Sequence, residues 1–249
     1  KVFLALVLAA AILLQIPYPL LDGRALEILT FLTVYSGAAA MLIHASMSFG
    51  NKFAFTYLGI TALFALIIES IGVNTGWPFG IYEYSSTLGI SIAQVPLVVP
   101  FAWIMMVHPA LVAARRVTTK WTFLYGGALL AGWDLFLDPQ MVAAGRWTWE
   151  VTGAHIPFVP DVPLSNFFGW LLAGCAIVAL LNVALPFERR KESASLRAVT
   201  ILLTWVLFSG FIGNLFFFDR PGLAFFGTAI MGSLLAPYFF SSWLGNKDN

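Results

Sequence analysis

The sequence predicts an all-α integral membrane protein, a bundle of about eight transmembrane helices with two long extracytoplasmic loops for which a small lid is one of two readings. Of its 249 residues, 60% are apolar and 10% charged, whereas charged residues make up roughly a quarter of an average soluble domain. Mean hydropathy is +0.87, so the excess apolar surface has to face lipid. The apolar residues also fall into runs long enough for a bilayer core, which takes about 20 residues of helix to cross.

These runs lie at 1–20, 25–49, 53–73, 95–114, 121–143, 165–187, 196–217 and 222–242. Residues 2–16 resemble a signal-peptide core, but no A-x-A cleavage pattern follows and many similar segments come after. The run is therefore read as the first membrane helix, with its beginning trimmed because residue 1 is Lys rather than Met. Pro100, Pro109 and Pro237 lie inside later runs and predict kinks whose freed carbonyls are repaired by neighbouring helices. No internal repeat or low-complexity linker divides the chain, so residues 1–249 are expected to form a single transmembrane domain.

Charge gives the orientation. Alternating the loops puts Lys1, Lys52, Arg115, Arg116, Lys120, Arg189, Arg190, Lys191, Arg197 and Lys247 on one side, and Arg24, Arg146 and Arg220 on the other. Ten against three is a strong positive-inside bias. It predicts a multi-pass protein of the cell membrane with both termini cytoplasmic. The net charge of +1, with no basic stripe, argues against a nucleic-acid partner. The one cysteine, Cys175, supports neither a disulfide framework nor a zinc motif.

The loops 74–94 and 144–164 share the extracytoplasmic face and carry Trp77, Tyr82, Glu83, Tyr84, Trp147, Trp149, Glu150, His155 and Asp161. Ile81-Tyr82-Glu83-Tyr84 and Arg146-Trp147-Thr148-Trp149-Glu150 alternate in side-chain character with period two, which suits short extended segments. Two readings stand: the segments pair as a lid, or their aromatics form an interfacial belt.

Ionisable residues inside a membrane are expensive, and each is a candidate functional group. Glu69 falls in the third run and Asp134 and Asp138 in the fifth, all in the extracytoplasmic half, with Asn166 and Asn214 at similar depth. Asp134 and Asp138 are four residues apart, which sets both carboxyls on one helix face. Two carboxyls in a low dielectric do not comfortably both ionise, so one is expected to keep its proton and serve as an acid. The alternative is structural: Asp138 bonding the backbone near Pro139, Asp134 pairing with a neighbour such as Asn214, and Glu69 accepting from a Trp or Tyr. His44 and His108 lie toward the cytoplasmic half and are expected to be bonded at helix ends.

Several chemistries are excluded. Three separated histidines do not make the histidine-rich clusters of di-iron membrane oxygenases, and no G-x-G-x-x-G follows a strand. One D-x-x-x-D does not make the two acidic clusters of a prenyltransferase, and no pseudo-repeat of a transporter is visible. A redox-neutral, acid-promoted reaction without cofactor or metal remains.

Several ordered patches carry a resemblance: Gly76-Trp77-Pro78-Phe79-Gly80-Ile81-Tyr82-Glu83-Tyr84, Leu88-Gly89, Val95-Pro96-Leu97-Val98-Val99-Pro100-Phe101-Ala102-Trp103, Trp133-Asp134 to Asp138-Pro139, Gly145-Arg146-Trp147-Thr148-Trp149 and Val162-Pro163-Leu164-Ser165-Asn166-Phe167-Phe168-Gly169-Trp170. Over roughly 70–175 the chain resembles the carotenoid biosynthesis membrane proteins that include the carotenoid 1,2-hydratases. The resemblance implies addition of water to the terminal C-1',C-2' double bond of an acyclic carotenoid, giving a tertiary alcohol. Substrates in such families include γ-carotene, lycopene and C50 precursors of bacterioruberin. Membrane lipid and neighbouring carotenoid enzymes are the other expected partners.

On this reading Asp134 or Asp138 donates a proton to the alkene, and Glu69 or Glu83 activates the water. Tyr82, Tyr84, Trp133, Trp147 and Trp149 line the end of the polyene channel and shield the tertiary cation. Trp77, Trp103, Asn166 and Asn214 complete the expected substrate-binding set. An end-group cyclase or isomerase would begin from the same cation, and a carotenoid-binding protein without turnover would leave the aspartates inert.

Overall fold

The computed structural model describes residues 1–185 and 195–244. Within them run eight helices: α1 (Val2–Gln15), α2 (Gly23–Phe49), α3 (Asn51–Thr75), α4 (Val98–Val117), α5 (Thr122–Ala143), α6 (Leu164–Ala184), α7 (Arg197–Phe216) and α8 (Pro221–Leu244). Seven are long and apolar enough to cross a membrane, which makes this a multi-pass helical membrane protein. The exception is α5, the predicted fifth span, whose hydropathy is lowered by Asp134, Asp138, Gln140 and three glycines. Fourteen of its 22 residues are buried, so other helices rather than lipid cover its polar groups. Arg189, Arg190, Lys191 and Lys247, part of the orientation argument, lie outside the described residues.

Local chemistry sets the helix ends. Pro17 and Pro19 stop α1, which passes into a short 3-10 turn at Tyr18–Leu20. Gly76 ends α3 in the left-handed conformation, φ 74°, which glycine adopts without a Cβ penalty. Pro100, expected to kink a helix, instead sits in the first turn of α4, where no intrahelical N–H is needed. Pro109 and Pro237 do lie inside α4 and α8. In the turn before each, Tyr57 donates to Ile104 O at 2.6 Å and Tyr125 donates to Leu234 O; these acceptors are neighbours of Met105 and Ser233, whose carbonyls lose their amide partners to the prolines.

At the centre stands α4, with 15 of 20 residues buried. Beside it α5 and α6 pack backbone to backbone through small residues, the usual device between membrane helices. A Cβ built on Gly127 would lie 2.6 Å from Cys175 N and Sγ, and one on Gly174 would lie 3.0 Å from Gly127 Cα. Gly127→Val is therefore expected to cost about 1–3 kcal/mol by overpacking, read as a lowered thermal midpoint in detergent. Gly59→Ala, with no atom within 4 Å of the new Cβ, is the control and leaves the midpoint unchanged or raised.

The two long loops meet over one end of the bundle. Strands β1 (Tyr82–Tyr84), β2 (Ser91–Ile92), β3 (Val95–Pro96), β4 (Trp147–Trp149), β5 (His155–Ile156) and β6 (Val159–Pro163) form three antiparallel pairs, β1–β4, β2–β3 and β5–β6. The register Tyr82↔Trp149, Glu83↔Thr148, Tyr84↔Trp147 joins the two loops directly, so of the two readings the lid is what forms. Toward the other end, His44 Nδ1 and His108 Nε2 are hydrogen-bonded ring to ring at 2.9 Å. The pair is buried within α2 and α4, rather than each ring being bonded separately at a helix end.

Candidate active site

The alternation of β1 and β4 decides which side chains enter the bundle. Tyr82 is buried and Tyr84 half-buried, while Glu83 between them is exposed. Trp147 and Trp149 likewise turn inward and Thr148 outward. Beneath this aromatic face α3 presents Glu69, which is 4% exposed. Its Oε2 accepts from Tyr82 Oη at 2.6 Å and Tyr84 Oη at 2.8 Å, and its Oε1 accepts from Trp103 Nε1 of α4 at 2.9 Å. Three donors aimed at one carboxyl suit a group that acts as acceptor only, the ionised form. Burial, then the adjacent Glu69 carboxyl, pushes the Tyr82 and Tyr84 phenols above the usual tyrosine range, so both remain protonated donors.

One helix layer away, Asp134 and Asp138 face α6. Asn166, at the first turn of α6, gives its amide Nδ2 to both carboxyls: to Asp134 Oδ2 at 2.9 Å and to Asp138 Oδ2. Both aspartates and Asn166 are buried, at 0%, 2% and 0% exposure. One amide bridging two carboxyls with little water is an arrangement in which a proton is retained on the pair. The partner of Asp134 is thus Asn166 and not Asn214, which instead donates to Gly210 O within α7.

A small cavity of about 60 Å³ separates the two acidic groups and is lined by Glu69, Asp138, Asn166, Tyr82, Tyr84, Trp147 and Trp149 among others. It has room for a few waters, at about 10–15 Å³ of such volume each. Asp134 does not line it. Trp103 and Trp170 stack at 4.5 Å and 14° on its wall, with Trp133 edge-on to Trp170 at 5.7 Å and 89°. Among the described residues, Trp149 Nε1 and Asn166 Oδ1 are buried polar atoms without a hydrogen-bond partner, and both residues border this space, as does Trp147, whose indole interacts with the Asp138 carboxyl.

A second cavity of about 440 Å³ adjoins the first and is within the roughly 300–1,000 Å³ of small-molecule sites. Both are lined by Thr30, Val34, Leu137 and Met141. The larger is mostly apolar and is walled by α1, α2, α5 and α7, with Trp133, Phe136 and Asn214 on its inner side.

Most of the residues expected from sequence therefore converge. Glu69, Asp138, Asn166, Tyr82, Tyr84, Trp103, Trp147 and Trp149 line one space, Asp134 backs it, and Trp133 and Asn214 line the next. Two are not brought in. Glu83 is exposed on the outer face of β1 because period-two alternation sends it opposite its neighbours. Trp77 is 56% exposed and borders neither cavity. Sequence reasoning missed the apolar lining from α1 and α7, and it missed Arg146 as a clamp. Arg146 is 3% exposed and joins Thr87 Oγ1 at 3.1 Å and Glu27 Oε1 at 3.7 Å. It therefore ties the lid to α2.

Fold and site together define an all-helical membrane protein whose buried carboxyl groups border an apolar cavity under a lid. The chain belongs to the carotenoid biosynthesis protein family, whose model matches residues 28–234. It is similar to bisanhydrobacterioruberin hydratase of Haloarcula japonica, with 34% identity over 166 residues, 62% of this chain and 54% of that protein. The matched segment thus spans about half the length of that curated relative. No solved structure matches the chain.

Proposed function

We propose that this protein is a carotenoid hydratase that adds water across the terminal double bond of an acyclic carotenoid end. The observation that carries the reading is Glu69 and Asp138 bordering one small, indole-walled cavity that continues into a larger apolar one. The polyene end lies in the larger cavity and its terminal alkene reaches the smaller.

Asp138 gives its proton to the less substituted alkene carbon, and the π pair forms the new C–H bond. The tertiary cation that results is shielded by the faces of Trp103, Trp170, Trp147 and Trp149. Water held between Glu69 and the Trp149 indole N–H adds its free lone pair to the cation, and Glu69 takes the proton released. Return of that proton to Asp138 closes the cycle, so alkene plus water gives tertiary alcohol. Asp134 and Asn166 position Asp138, and the two carboxyls, buried side by side, share the retained proton. Tyr82, Tyr84 and Trp103 hold Glu69 as the base.

Hydration is favoured over end-group cyclisation by the polar atoms of Trp149 and Asn166, which offer a water a donor and an acceptor. The test is expression in cells that accumulate lycopene or γ-carotene, followed by mass spectra of the extracted pigments. New pigments heavier by one water are expected. New end groups of unchanged mass would replace hydration by cyclisation, and unaltered pigment would remove the activity.

The same reading places the lid on the extracytoplasmic side, with both termini cytoplasmic, from the excess of Lys and Arg in the opposite loops. Thr148→Cys on the lid is expected to react with an impermeant maleimide added to intact cells, and Lys52→Cys only after lysis. The reverse pattern would invert the topology.

A further inference from the structure

The proposed chemistry needs a route by which a long, water-insoluble chain reaches a buried acid, and the larger cavity supplies it. Its inner lining is buried: Trp133 and Phe136 are each 4% exposed, as is Asn214. Its outer lining is not. Ile16 is 54% exposed, Phe208 55% and Phe217 51%, yet all three line the same cavity. The space therefore runs from the acid pocket out to the membrane-facing surface, where the end of α1 meets α7.

One inner wall of this passage is fixed by Phe136. A Cβ built on Gly210 or Gly227 would lie 2.7 Å from the Phe136 ring, so the ring of α5 is seated between α7 and α8 by two residues that lack one. Across the outer end, Trp205 Nε1 donates to Gln15 Oε1 at 2.9 Å. This polar bond joins α1 to α7. The first helix has only Leu8 and Ala11 buried, so it is the helix least held by the rest of the bundle along its length.

We infer that the polyene substrate enters and leaves sideways from the hydrocarbon layer through a portal between α1 and α7. The Gln15–Trp205 bond spans this mouth, and inward the passage continues past Leu137 and Met141, which line both cavities. The inference rests on the hydratase reading for the identity of the occupant. It specifies where the remainder of the conjugated chain lies while the end group reacts: across Phe208 and Ile16, out toward lipid. An apolar passage suits such a chain because neither lipid nor cavity requires it to be hydrated. A passage through the lid would carry it past Arg146, Glu27 and Thr87.

The test is photocrosslinking in membranes of cells that accumulate an acyclic carotenoid. A diazirine-bearing amino acid replaces Phe208 in one variant. In a second it replaces Phe240 of α8, which is 66% exposed and borders neither cavity. Intact-protein mass spectra are expected to show a polyene adduct at least ten-fold more abundant at 208 than at 240. Equal labelling would make both sites ordinary lipid contacts and overturn the portal, and so would lipid adducts without polyene at 208. A third variant, with the probe at exposed Thr148 on the lid, takes the adduct instead if the chain passes that way, which also overturns it. The readout does not depend on turnover. An adduct at 208 without hydrated product would leave the portal standing while the reaction fell.

Discussion

Asp138→Asn is expected to lower hydration by about 10²–10⁴-fold at matched protein levels, the usual weight of a positioned general acid. The substitution keeps the shape of the side chain, and its carbonyl oxygen still accepts from Asn166, so folding and pigment binding are expected to persist. What disappears is the one acidic proton at the wall of the small cavity, because Asp138 borders that space and Asp134 does not. Asp134→Asn leaves the acid in place but alters its neighbour, and is expected to retain slow, measurable turnover. Pigment mass spectra scaled to protein from immunoblots distinguish the two variants. Unchanged rates in both would remove the pair from the mechanism, and a larger loss in Asp134→Asn would exchange their roles.

Glu69→Gln is the second large effect, with an expected loss of at least about 10²-fold in rate. Glu69 receives three hydrogen bonds on two oxygens, and glutamine has one oxygen and an amide that only donates. Either the two phenols or the Trp103 indole must then face a donor. A buried donor left without an acceptor costs about 1–3 kcal/mol. The variant is therefore expected both to lose the base and to loosen β1 against α3. Tyr84→Phe separates these effects, since it removes one donor and keeps the carboxylate. It is expected to slow the reaction far less than Glu69→Gln. Equal losses in the two variants would mean that the hydrogen-bond network, rather than the carboxylate, is what catalysis requires.

How much was legible beforehand follows from physical cost. A carboxyl in a membrane helix is expensive enough to stand out wherever it occurs, so Glu69, Asp134 and Asp138 were visible as candidates without coordinates. Spacing of four put the aspartates on one face, and helix depth placed Asn166 and Asn214 near them. Depth says nothing about rotation around a helix axis, however, and the bridge to the aspartates is made by Asn166 while Asn214 turns to the larger cavity. Period two identified the strands, but alternation is the same whichever face is inward. The tyrosines and indoles went inside, and Glu83 went out.

The portal was illegible for another reason. Ile16, Phe208 and Phe217 border a cavity that opens on lipid, and both environments select the same apolar side chains. Eight spans were expected, and seven are apolar enough to qualify by composition. The remaining helix, α5, is the one that carries the proposed acids, and its low hydropathy and its chemistry have one cause.

Water enriched in the heavy oxygen isotope tests the central claim most directly. Membranes holding the wild-type protein and an acyclic carotenoid are expected to form a pigment carrying one labelled oxygen per hydrated end, with at least about a hundred-fold less formed by Asp138→Asn at equal protein. Pigment without label, or label incorporated by Asp138→Asn at the wild-type rate, would contradict acid-promoted capture of water at this cavity.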